Sequence, residues 1–249
     1  FDSAEGLVLL LLGLLGPSVA GIGFVYLVYD KQGRTDFWNR LKQVRRIGVK
    51  WFLIILSVPV VVTAVAVIVE ELFGGQGATF GEGVQEFVVN PLAILPALFF
   101  ATLPPILEEL GWRGYALDRL QLNWSALNAS LILGVVWAVW HLPLFFIGGS
   151  FQAETVGFLT VGFWLFMIGI VALSVVFTWV YNHTSRSIFA IILLHGWVNF
   201  VSETIEIEDF FYYAHWVLLA VLLVAIWGPK TLTNAEEVPR PPDDAGDRS

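Results

Sequence analysis

The chain contains no cysteine and a single methionine in 249 residues. Without thiols it can build neither a disulfide framework nor a thiolate metal site. Charge is scarce as well: Asp, Glu, Lys and Arg make up 14% of the residues, against roughly 25% in an ordinary soluble domain. With 57% hydrophobic residues and a mean hydropathy of +0.76, a soluble globular domain is excluded. The formal net charge of −8 leaves no basic surplus, so nucleic acid is not an expected partner. Short alternating strands are absent, which argues against a membrane barrel. No internal repeat is visible, and there is no His-Glu-x-x-His motif of the common zinc proteases.

What is present is a series of long apolar runs. A transmembrane helix needs about 20 apolar residues. About seven segments qualify, at roughly 6–29, 51–69, 91–110, 126–147, 156–181, 187–203 and 211–228, the sixth being the shortest. The expected fold is therefore all-α, a polytopic helix bundle in lipid. The first run is long enough to span and leads straight into a basic loop, so it is expected as a span rather than as a cleavable signal peptide. The 13 basic residues are Lys31, Arg34, Arg40, Lys42, Arg45, Arg46, Lys50, Arg113, Arg119, Arg186, Lys230, Arg240 and Arg248. Seven alternating spans place all of them on one side. The other side carries acids, including Glu70, Glu71, Glu86, Glu203 and Glu206. The positive-inside rule makes the basic side cytoplasmic, with the N-terminus outside and the C-terminus inside. Trp38, Trp51, Trp112, Trp124 and Trp227 fall near span ends, as interfacial anchors do.

Within segment 30–50, Phe37, Trp38, Leu41, Val44 and Ile47 share a helical face. That segment is expected to lie along the cytoplasmic headgroups, making membrane lipid a partner. The chain then divides into 1–90, holding two spans and this interfacial segment, a helix bundle over 91–228, and a disordered acidic and Pro-rich tail over 229–249.

Three of the apolar segments contain groups that hydrocarbon disfavours, each costing on the order of 3 kcal/mol or more at a bilayer centre. The first set is Glu108, Glu109 and Arg113. Arg113 lies one turn after Glu109 on the same face, while Glu108 points about 100° round the helix, free for another partner. The set is expected at a helix end, with Arg113 and Arg119 in the following turn. Next, His141 sits inside the fourth span, where Pro143 is expected to kink the helix. Last, His195 and Asn199 share one face of the sixth span at i, i+4. Read blandly, these are an intrahelical ion pair, a satisfied core histidine and polar glue between helices. Together they are a kit for hydrolysis, provided that the three helices meet. His141 is expected somewhat deeper than Glu108, so tilt or kinks must close the gap.

Glu108-Glu109-x-x-x-Arg113, extended by Gly114 and Tyr115, resembles the first signature of the CPBP family. These are the CAAX proteases and bacteriocin-processing (Abi) enzymes, which include type II CAAX prenyl endopeptidases. His141-Leu142-Pro143 resembles the second signature and His195-x-x-x-Asn199 the third, and the likeness runs over about 95–225. One position departs: Trp137 stands where the second signature usually has Phe. The resemblance implies an intramembrane endopeptidase, open to the cytoplasm, in the plasma membrane of a prokaryote. Its substrate would be a peptide or a lipidated protein C-terminus. Glu108 would be the general base, aided by His141. Glu109 would support it and pair with Arg113, and His195 with Asn199 would stabilise the oxyanion. A cofactor stays undecided between none and Zn²⁺, with Glu108, His141 and His195 as ligands if the metal is present. Two other readings stay open: a proton-coupled transporter or channel, and a non-catalytic immunity-type protein.

Overall fold

The computed structural model describes residues 4–75 and 77–242. It is an all-α bundle: α1 (Ala4–Val28), α2 (Lys31–Lys42), α3 (Gly48–Leu72), α4 (Glu82–Val89), α5 (Ile94–Gly111), α6 (Leu117–Asn123), α7 (Ala126–Trp140), α8 (Val161–His183), α9 (Ile188–Thr204) and α10 (Asp209–Trp227). Two two-residue strands, Thr79–Phe80 and Ile205–Glu206, pair antiparallel. Side-chain caps start four of the helices: Asp30 accepts from the Gly33 amide, Ser125 from Asn128, Thr160 from Phe163 and Ser187 from Ala190. Each cap satisfies an orphan donor of a first turn.

Six helical stretches among the described residues are long and apolar enough to cross a membrane. The expected sixth span is present as α9, but its 17 residues reach only about 25 Å at 1.5 Å per residue. A hydrocarbon core is about 30 Å thick, so α9 falls short of a full crossing. Helix α8 is central: α7 and α10 pack on it, while α5 and α9 pair beside it and α1 lies against α5.

Three local expectations need correction. The helix carrying Glu108 does not stop near residue 110. It continues through one π-helical turn (Trp112–Ala116) into α6, giving an apolar stretch from Pro91 to Asn123. Arg113 and Arg119 therefore sit within a helix rather than in a connecting turn. Gly111 and Gly114 permit the crowding along this stretch: a Cβ on Gly111 would overlap the Pro17 backbone of α1, and one on Gly114 would come within 2.8 Å of the Phe37 ring of α2. Next, α7 ends at Trp140, so His141 caps the helix while staying inside the apolar span Ala126–Phe146, as expected. Pro143 then sits in the following 3₁₀ turn, Leu142–Phe146, where its missing N–H costs nothing. The third correction concerns segment 30–50. Phe37, Trp38 and Leu41 do form a face, but it packs on Val25, Leu110, Ile188 and Ile192 of the bundle.

Of the expected tail, residues 243–249 lie outside the described residues, as does Arg248. Residues 229–242 lie against the bundle: the carbonyls of Pro229 and Lys230 accept from Leu127 and Ala126, and Leu232 is buried.

Candidate active site

The continuation of the helix to Asn123 settles the question of depth. Glu108 lies fifteen residues before Asn123, and His141 fifteen residues after Ala126, on the two sides of one tight turn. At 1.5 Å per residue both stand about 20 Å from that turn. No kink is needed to bring them level.

Glu108 and Glu109 are both buried, and they part company at once. Glu109 faces α9. Its Oε1 accepts from Arg113 Nη1 at 2.8 Å and lies 2.8 Å from His195 Nδ1, while Oε2 accepts from the same Arg113 nitrogen at 3.1 Å. Glu108 faces α7, where its Oε2 accepts from the indole Nε1–H of Trp137 at 2.7 Å. Two adjacent carboxylates thus avoid sharing one site because each has its own donor. Arg113 is fully buried, with its guanidinium carbon 4.4 Å from the Trp137 ring centre and 4.9 Å from that of Phe177. Flat aromatic faces attract the cation where water is excluded.

His141 packs its ring edge-on to Trp140 and Phe166, with its Nδ1 2.7 Å from the Trp137 carbonyl oxygen. A carbonyl only accepts, so Nδ1 carries the hydrogen and Nε2 of the neutral ring is a bare acceptor. His195 Nδ1 likewise faces an acceptor, the Glu109 carboxylate, which leaves Nε2 for other partners. His195 also meets Trp137 edge-on, ring centres 5.3 Å apart. Glu108, Glu109, Arg113, His141 and His195 therefore form one buried cluster around Trp137.

Asn199 stands slightly apart. Its Nδ2 donates to the Ala101 carbonyl at 3.2 Å. That carbonyl lies four residues before Pro105, which has no N–H to return to it. Asn199 closes the gap that proline opens in α5. The two helices can approach this closely because Gly196 faces Thr102, with no room for a Cβ.

The trio Glu108, His141 and His195 does not make a metal site in this arrangement. Among the described residues no three His, Asp or Glu side chains are placed to hold one ion.

Sequence reading passed over a second buried polar group. Arg40 of the supposed headgroup segment is fully buried, 3.3 Å from Asp118 of α6, and it donates to Tyr181 Oη at 2.6 Å and to the Gly114 carbonyl at 2.9 Å. Asp118 also accepts from Arg186 Nε and from Tyr181 Oη, each at 2.8 Å. Arg186 reaches the Arg240 carbonyl at 2.9 Å. One signal could have revealed the group: Asp118, like Asp36, is an acid among the basic residues of that side.

Residues 90–201 match the family model described as Type II CAAX prenyl endopeptidase Rce1-like. CAAX prenyl protease 2 of Methanococcus maripaludis is 29% identical over 207 residues, covering 82% of this chain and 74% of that protein. The resemblance drawn from Glu108, Glu109, Arg113, His141, His195 and Asn199 is borne out, and all six residues lie inside the matched segment.

Proposed function

We propose that this membrane protein, which carries a Rce1-like type II CAAX prenyl endopeptidase domain, hydrolyses a peptide bond near its basic, cytoplasmic face, with Glu108 as general base. The supporting observation is the convergence of α5, α7 and α9 on one buried cluster of acids and imidazoles.

In this reading a water stands between the free Oε1 of Glu108 and the bare Nε2 of His141. Glu108 takes a proton as the water oxygen bonds to the scissile carbonyl carbon. Glu109 and Arg113 hold His195, whose Nε2 faces the developing oxyanion and donates when both ring nitrogens carry hydrogen. The second amide hydrogen of Asn199 adds a further donor. Each such donor is worth about 3–4 kcal/mol in the transition state. Glu108 then returns its proton to the departing nitrogen as the C–N bond breaks, leaving a carboxylic acid and an amine. No step is routed through a metal.

The substrate is a membrane-bound peptide or protein C-terminus, of the prenylated kind that the name of the methanococcal relative indicates. The distribution of Lys and Arg along the sequence favours a cytoplasmic basic side, and the relative from Methanococcus maripaludis favours a prokaryotic plasma membrane.

The test is cleavage of a fluorogenic peptide bearing a farnesylated cysteine, by the full chain in liposomes. Glu108→Ala should slow turnover by about 10²–10⁴-fold, the usual contribution of a positioned base. Turnover at the wild-type rate would remove Glu108 from the mechanism. Absence of cleavage by the wild-type chain would reopen the transporter and immunity readings.

A further inference from the structure

Trp137 touches four of the five members of the cluster, Glu108, Arg113, His141 and His195. It is 1% exposed. Its indole N–H donates to Glu108 Oε2 at 2.7 Å. Its carbonyl accepts from His141 Nδ1 at 2.7 Å. Its ring face lies 4.4 Å from the Arg113 guanidinium carbon, and its edge meets His195 at 84°. Backbone and ring contacts of this kind would survive with any large aromatic at the position. The N–H bond would not. Phenylalanine, the usual residue at this place in the second signature, has no donor to offer.

We infer that Trp137 is a positioning residue: its indole N–H locks the Glu108 carboxylate so that Oε1 points at the water to be activated. A buried carboxylate held by one side-chain donor on one oxygen has its rotamer chosen for it. Without the donor the carboxylate turns about its last bond, and both oxygens sample orientations that miss the water. Proton transfer depends steeply on that geometry, since a base must lie within hydrogen-bond reach of the proton it removes. Substrate binding does not depend on it. Loss of the N–H should therefore fall on kcat and spare KM. A hydrogen bond to a charged group corresponds to about 10- to 100-fold in rate.

The inference rests on Glu108 being the base, and the experiment separates the two. Two variants of the full chain in liposomes are compared with wild type on the farnesylated fluorogenic peptide. Trp137→Phe keeps an aromatic ring and the carbonyl but removes the N–H. Replacing Trp137 with benzothienylalanine, in which sulfur takes the place of N–H, also keeps the ring size and so creates no cavity. Both should lower kcat by about 10- to 100-fold with KM within about twofold of wild type. Wild-type kcat in the benzothienyl variant would overturn the inference, whatever Trp137→Phe does, because packing alone would then account for the phenylalanine result. A raised KM with unchanged kcat would overturn it too, by moving Trp137 into substrate binding. Glu108→Ala, run alongside, decides the base independently: if it is inactive while the benzothienyl variant is fully active, only the role of Trp137 falls.

Discussion

Asp118→Ala should be among the most damaging single changes outside the cluster around Trp137. The Asp118 side chain is fully buried and serves three partners: Arg40 at 3.3 Å, Tyr181 Oη at 2.8 Å and Arg186, whose Nε lies at 2.8 Å. At 3.3 Å and an effective dielectric of 20, one such pair is worth about 5 kcal/mol. Removing one member of a buried pair costs about 3–5 kcal/mol, because the remaining charge is stranded. Here two guanidiniums would be stranded together, with only Asp36 left, 3.0 Å from Arg40 and 3.1 Å from Arg186. At about 2–4 °C per kcal/mol for a chain of this size, the melting temperature should fall by about 10 °C. Intrinsic tryptophan fluorescence of the detergent-solubilised protein during heating reports the change. The control is the triple replacement Arg40→Met, Asp118→Leu, Arg186→Met, which strands no charge and should recover most of the loss. An Asp118→Ala protein melting within about 2 °C of wild type would refute the reasoning, and a triple variant less stable than the single would refute the account of stranded charge.

Gly111→Ala should cost about 1–3 kcal/mol by overpacking, since its Cβ meets the Pro17 backbone of α1. It should also slow cleavage, because Ser18 of the same helix bonds the Leu107 carbonyl beside Glu108; thermal melts and turnover measure the two effects. Dialysis against a strong chelator should change the rate by less than about twofold, since the three candidate ligands are not placed around one ion; a loss restored by added Zn²⁺ would show that the cluster rearranges around metal. Asn199→Ala should lower stability by about 1–2 kcal/mol, the penalty for an unsatisfied buried carbonyl. Adding Pro105→Ala, which supplies the missing N–H, should restore the melting temperature. If turnover returns with it, Asn199 is a brace for α5; if turnover stays low, its second amide hydrogen acts at the reaction centre.

How much was legible follows from what a single helix can reveal about itself. The apolar runs located nearly every long helix, because a length of hydrocarbon-compatible residues is a local property. Glu108, Glu109, His141 and His195 announced themselves because an ionisable group in such a run carries a cost that only a partner relieves. The end of the Glu108 helix was misjudged for a related reason. Arg113 and Arg119 read as a turn, whereas Arg113, and Asp118 between them, are each neutralised by an ion pair and buried in a helix that continues to Asn123. Charge marks an exposed end only when nothing opposite lies across from it.

The same limit applies to faces and to donors. Periodicity in segment 30–50 showed that Phe37, Trp38 and Leu41 are covered, but a covered face looks alike whether lipid or protein covers it; the bundle does. Asn199 shares a helical face with His195, yet the defect it repairs, at Pro105, is on another helix. Trp137 is the sharpest case. In sequence it is one aromatic in place of another, and its N–H matters only because Glu108 lies across from it. The residues outside the matched segment follow this pattern. Ser18 and Gly21 of α1, with Arg40 of α2, grip Leu107, Gly111 and Gly114 on either side of the two glutamates. A helix interrupted by two prolines and a π turn is soft along its own axis. Glu108 is therefore braced from helices that lie outside the matched segment.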